Sequence, residues 1–117
     1  VKLLPYSPKG QYISADGYLT IKVQNIMAVL INDEERLGYP YWFESPPIND
    51  EAARVGLWVL SKALNDQNSQ NVRIFDIIRS EYFSLNTHPL EGNEDDLLLA
   101  HFKRIEKLRD KLKLEYN

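Results

Sequence analysis

The residues with the clearest capacity for chemistry lie around one of the two histidines of the chain. The segment HPLEGNEDD (residues 88–96) combines His88 with four acids, Glu91, Glu94, Asp95 and Asp96. Imidazole and carboxylate groups can bind a divalent metal ion or act as an acid and a base. Acids at this position equally suit the positive end of a helix, which is their commoner use. We therefore expect no catalytic residue, no metal and no cofactor, and an enzyme using His88 ranks third among our hypotheses.

A second candidate is the segment GYPYWFESPP (residues 38–47), here called the aromatic segment. Its prolines fix the backbone and disfavour helix in the preceding residue, which predicts an extended loop with little conformational entropy to lose. Two interpretations are open: Trp42 and Phe43 pack between helices, or the aromatic side chains are held out for a partner. In a combination of the two interpretations, Trp42 anchors the loop while other aromatic side chains face the partner.

Rigid aromatic side chains are enriched at protein interfaces, because little further ordering is needed when they bind. We therefore predict a protein-binding site at Tyr39, Tyr41, Trp42, Phe43 and Glu44. The predicted partner is another protein.

The C-terminal part of the chain is locally basic. Residues 103–113 contain six basic and two acidic side chains. Such a helix face can bind phosphate backbones in a salt-dependent, mostly non-specific way. Bases at the end of a helix also suit its dipole. Nucleic-acid binding is therefore the alternative function, through Lys103, Arg104, Lys107 and Lys111.

Composition limits the class of protein. The chain has 117 residues, 44% of them hydrophobic and 26% charged, as expected for a single globular domain over residues 1–117. Its net charge of −3 gives no general attraction to nucleic acid, and the absence of cysteine excludes disulfides and thiolate metal sites. The longest apolar run, IMAVLI, is too short to cross a bilayer. We expect a cytoplasmic protein without a membrane partner, as a monomer or a homodimer.

Hydrophobic spacing predicts a mainly α fold, a four-helix bundle-like domain. Residues 1–13 are predicted to form an extended N-terminal arm, and residues 14–117 a helical core. The first helix would begin after Ser14 or Asp16 and stop at Gly38. Leu19, Ile21 and Val23 alternate as in a strand, so a short β-hairpin near residues 11–23 is the alternative.

Three further helices are predicted. The second begins after Asn49 as N-cap, the third spans about 72–85, and the fourth spans about 94–115 after Asn93. The apolar face of the third comprises Val72, Phe75, Ile78, Tyr82 and Leu85. With no catalytic arrangement in the sequence, the predicted function is a small non-enzymatic protein-binding module, acting as an adaptor, an inhibitor or an accessory subunit.

Overall fold

The protein has a mixed α/β fold, so the predicted four-helix bundle is wrong. The computed structural model describes residues 2–116, with side chains up to residue 115. Val1 of the predicted arm and Asn117 of the predicted core lie outside that range. Across the described residues, seven strands form two sheets and there are two α-helices. The elements are β1 (Lys2–Leu3), β2 (Gly10–Ile13), β3 (Thr20–Val23), β4 (Met27–Ile31), β5 (Glu34–Tyr41), α1 (Asp50–Ala63), a 3₁₀ turn (Ser69–Asn71), β6 (Val72–Asp76), β7 (Glu81–Phe83) and α2 (Glu94–Tyr116).

The larger sheet has the strand order β1-β4-β5-β6-β7, and β2 and β3 form a separate hairpin. Only the β5–β6 pair is parallel among these strands. The connection between them contains α1, which covers one face of the larger sheet. Leu57, on α1, belongs to the same buried core as Leu37 and Val72, which are in register on β5 and β6. Gly56 allows this close approach, since a Cβ atom there would lie 3.0 Å from Cδ1 of Ile74.

The helix predicted between residues 14 and 38 is wrong, because this region forms β3, β4 and most of β5. Asn32 and Asp33 both have positive φ, 53° and 63°, and they form the two-residue connection between Ile31 and Glu34, which pair in register. Asn and Asp tolerate this conformation and favour tight hairpins. In the region of the alternative hairpin, β2 pairs with β3 in an antiparallel arrangement.

The third predicted helix is also wrong, because residues 72–83 form β6, a turn and β7. Val72 and Ile74 lie on the face toward α1, whereas Phe75 lies on the other face. Ser80 has a φ of 53° and lies in the turn between the strands. The apolar residues in these two strands and the turn have the spacing expected of one helix face, and this spacing led to the wrong prediction.

The two remaining helices are confirmed. Asn49 is the N-cap of α1, and its Oδ1 accepts a hydrogen bond from the Ala52 N–H at 2.7 Å. α2 begins at Glu94, directly after Asn93, as predicted. Within residues 2–116, neither helix combines the length and the apolar character needed to cross a membrane.

The predicted N-terminal arm is tied to the rest of the chain by strand pairing. Strands β1 and β2 belong to the arm, and they pair with β4 and β3 outside it. The predicted helical core over residues 14–117 is wrong, since five of the strands begin after residue 14.

A buried ion pair joins the two helices. The Glu94 carboxylate, 2% exposed, lies 2.5 Å from Nη1 of Arg54 and accepts hydrogen bonds from the N–H groups of Glu91 and Gly92, both at 3.1 Å. Burial alone would raise the pKa of the Glu94 carboxyl. The two N–H donors and the Arg54 charge outweigh burial, so the pKa of Glu94 is lowered.

Glu94→Gln is expected to lower the free energy of unfolding at neutral pH by about 2 kcal/mol, because it removes hydrogen bonds to a charged acceptor. The pKa of Glu94 is lower in the folded protein than in the unfolded chain, where a glutamate has a pKa of about 4.3. The ionised carboxylate therefore stabilises the fold fully above that pH, and this stabilisation is lost as the pH falls through the folded-state pKa. The free energy of unfolding, measured with urea at a series of pH values, should therefore fall less steeply toward acid pH in the variant than in the wild type.

The matched control is Glu91→Gln, since that side chain is 66% exposed although it contacts Arg54. It should change stability by about 0.5 kcal/mol or less. An equally steep acid decline in Glu94→Gln and the wild type would contradict this role of Glu94.

Candidate functional site

The aromatic segment lies at the end of β5, and its first four residues belong to that strand. Residues 42–49 form the loop that leads to α1. Pro40 is in register with Phe75 of β6, and it lies past Gly38, the last β5 residue paired with β4. A proline at this point removes no hydrogen bond of the β4–β5 ladder. The segment predicted as a loop is therefore part strand and part loop.

Trp42 and Phe43 extend into solvent, with 58% and 65% of their surface exposed. They do not pack between helices. Tyr41 is the anchor instead of Trp42: it packs on the core, its hydroxyl donates to the carbonyl of Pro46, and its ring meets that of Phe43 edge-on at 5.4 Å. The interpretation in which Trp42 and Phe43 pack between helices is therefore wrong.

The turn after β6 holds this loop in place. Asp76, 1% exposed, forms an ion pair with Arg79 at 3.1 Å. Nη1 of Arg79 donates to the carbonyl of Phe43 at 3.2 Å, and Nη2 donates to the carbonyl of Glu44. The exposed aromatic side chains are therefore carried by a backbone that is fixed to the sheet. Glu44 contributes its carbonyl to this contact, and its side chain is exposed.

An apolar groove of about 490 Å³ lies beside the loop. Strand β3, strand β5 and both helices contribute to its walls, which include Tyr39, Tyr41, Ile48, Val55 and Leu98. Lys22 and His101 are the basic residues of its lining. Two of the five predicted partner-binding residues thus line a groove, and Trp42 and Phe43 extend from the loop next to it.

The four basic residues of the alternative site are brought together on α2. Lys103, Arg104, Lys107 and Lys111 are all exposed. At 100° per residue, they fall within an arc of about 100° of the helix. They therefore form one continuous basic face, separate from the aromatic segment.

Two of the acids near His88 pair with Arg54 and not with the histidine. Glu94 turns inward to Arg54, and Glu91 contacts Nε of the same arginine at 2.8 Å. Nε2 of His88 lies 2.9 Å from Asp50, and Nδ1 lies 2.8 Å from the Thr87 hydroxyl. Among residues 2–116, no three His, Asp or Glu side chains converge to form a metal site.

The Thr87 hydroxyl is engaged within its own turn. It donates to the carbonyl of Ser84 at 3.1 Å and accepts from the Ser84 N–H at 3.0 Å. The His88 contacts therefore connect this turn to the start of α1, where Asp50 lies.

The site combines exposed aromatic side chains, a fixed backbone and an apolar groove, an arrangement suited to binding apolar side chains of another molecule. Sequence reasoning missed Asp76 and Arg79, which hold the loop, because they lie in a region predicted to be helical. Comparisons of the chain with models of protein families, with curated proteins and with solved structures found no match.

Arg79→Gln is expected to release the loop, because it removes the donors to the carbonyls of Phe43 and Glu44. Limited proteolysis with chymotrypsin should then cleave after Phe43 roughly tenfold faster, since cleavage requires the loop to open. Arg104→Gln makes the same charge change on exposed α2 and should leave the rate unchanged. Equal cleavage of Arg79→Gln and the wild type would show that Arg79 does not hold the loop.

Proposed function

We propose that this protein is a non-enzymatic module that binds another protein, as an adaptor, an inhibitor or an accessory subunit. The observation that carries the proposal is the exposure of Trp42 and Phe43 on a loop fixed by Arg79. Contiguous exposed apolar surface of this kind is characteristic of interaction sites. Because the loop is already ordered, binding loses little conformational entropy there.

The proposed interface has two parts. Trp42 and Phe43 enter an apolar pocket on the partner, as large aromatic side chains do at the energetic centres of protein interfaces. The groove lined by Tyr39 and Tyr41 receives an aliphatic or aromatic side chain from the partner. Since both contacts are apolar, the affinity should depend only weakly on salt.

The environment of His88 supports a binding role over catalysis. Its ring nitrogens face Asp50 and the Thr87 hydroxyl, and that hydroxyl is bonded to the backbone of its own turn. The groups that would transfer protons are thus used to connect a turn to α1.

Nucleic-acid binding by α2 is the second candidate. The observation that favours it is the continuous exposed face formed by Lys103, Arg104, Lys107 and Lys111. This face would follow a phosphate backbone and would leave the aromatic segment free.

A photoreactive phenylalanine analogue at position 43 tests the first candidate. In a lysate of the source cells, we expect one protein to be crosslinked from position 43 and not from position 114, where Leu114 is an exposed apolar control on α2. With that protein purified, Trp42→Ala and Phe43→Ala should each weaken binding by more than about 1 kcal/mol without lowering the melting temperature. Equal crosslinking from both positions, or affinities unchanged in both variants, would contradict the proposed interface.

The second candidate predicts a steep dependence of affinity on salt. Binding to a fluorescent single-stranded oligonucleotide should weaken with a slope of about −0.7 in log–log form for each phosphate contacted. Replacing Lys103, Lys107 and Lys111 with glutamine should make the slope shallower by about 2. Trp42→Ala should leave this binding unchanged. An unchanged slope in the lysine variant would exclude this face as the binding site.

A further inference from the structure

The sheet face opposite α1 has a separate recess, so the sheet lies between this recess and the apolar groove. The recess measures about 280 Å³, and its lining includes Arg36, Arg73, Phe75, Tyr82 and one acid, Glu34. Phe75 and Tyr82 are cross-strand neighbours on β6 and β7. A Cβ atom at Gly38 would lie 1.9 Å from the Phe75 ring, so the glycine lets that ring lie flat against the sheet.

Arg73 is a buried cation without a carboxylate partner. The residue is 8% exposed, and no acid among residues 2–115 lies within ion-pair distance of its guanidinium. Its hydrogen bonds both come from Nη1, which donates to the carbonyls of Gln70 at 2.5 Å and Val72 at 2.9 Å. The edge formed by Nε and Nη2 has no acceptor among the described residues. This edge is the one that binds a carboxylate or a phosphate with two parallel hydrogen bonds.

Arg36 differs from Arg73, because its charge is already compensated. Nη2 of Arg36 pairs with Glu34, and Nη1 donates to Oδ1 of Asn71 at 2.9 Å. Burial lowers the pKa of Arg73, and the nearby Arg36 charge lowers it further. The Glu34 charge raises the pKa of Arg73 and offsets part of this, but Glu34 pairs with Arg36, so Arg73 is the cation of the recess that lacks an ion-pair partner. An anion on Arg73 would oppose the effects of burial and of Arg36.

The remaining lining suits a flat apolar group. The Arg73 guanidinium lies 5.7 Å from the centre of the Tyr82 ring, and 58% of the Tyr82 surface is exposed. A planar ligand can stack on this exposed ring while its charged group meets the arginine.

We propose that this recess binds a small organic anion that joins a carboxylate or a phosphate to a planar apolar body. The Nε–Nη2 edge of Arg73 receives the anionic group, and Tyr82 and Phe75 contact the planar body. The site lies on the opposite sheet face from the proposed protein interface, so either can exist without the other.

The test is an NMR titration that observes the Arg73 Nε–H resonance directly. The probes are adenosine 5′-monophosphate and benzoate, which distinguish phosphate from carboxylate, with adenosine and inorganic phosphate as the separate halves of the nucleotide. We expect one of the two complete anions to shift this resonance saturably, with a Kd on the order of 1 mM or below, and the separate halves to bind at least about tenfold more weakly. No saturable shift with either complete anion up to about 10 mM would overturn the proposal.

Two variants locate the binding, which is followed in them through the backbone N–H resonance of Phe75, because Arg73→Lys removes the Nε–H group itself. Tyr82→Ala should weaken the binding about tenfold, because it removes the exposed stacking surface. Arg73→Lys keeps the charge but loses the two-donor edge, and it should weaken binding at least tenfold as well. Lys62→Gln removes one positive charge at an exposed lysine of α1 outside every proposed site and should have no effect. Equal weakening by Lys62→Gln and Tyr82→Ala would mean non-specific charge attraction and would overturn the site.

Discussion

The parallel pairing of β5 with β6 is the constraint on which the rest of the structure depends. Parallel neighbours cannot be joined by a tight turn, so the chain must cross over one face of the sheet, and α1 is that crossover. The pairing also places the carboxyl ends of both strands side by side, with Tyr41 in register with Asp76. The turn that follows β6 can therefore reach the loop that follows β5, and Arg79 connects them.

This arrangement gives the two faces of the sheet different properties. On the face covered by α1, apolar side chains build the core and leave a groove beside the exposed aromatic side chains. On the opposite face, Arg73 lies beside two aromatic rings without a carboxylate of its own. Ligand sites in α/β sheets often lie outside the carboxyl ends of parallel strands, and the fixed loop with Trp42 and Phe43 occupies that position here.

The parts of the fold that the sequence predicts correctly are those specified locally. Asn49 caps α1 through its own side chain, and the acids from Glu94 onward mark the start of α2. The strands were missed because their evidence is non-local: β6 becomes a strand through pairing with β5, more than thirty residues earlier in the sequence. The aromatic candidates were identifiable from their types, whereas their exposure depends on Arg79, whose contact with the loop no sequence spacing indicates. Asn32 and Asp33 were the local turn signal that could have corrected the first helix.

The central claim is that the backbone carrying Trp42 and Phe43 is ordered, with both side chains in solvent, before any partner binds. Nitrogen-15 relaxation of the Phe43 and Glu44 backbone N–H groups, combined with broadening of the Trp42 indole N–H by a paramagnetic cosolvent, tests it most directly. We predict order parameters of about 0.85 for the two backbone groups, together with strong broadening of the indole resonance by the cosolvent. An order parameter below about 0.6, or an indole protected from the cosolvent, would contradict the claim.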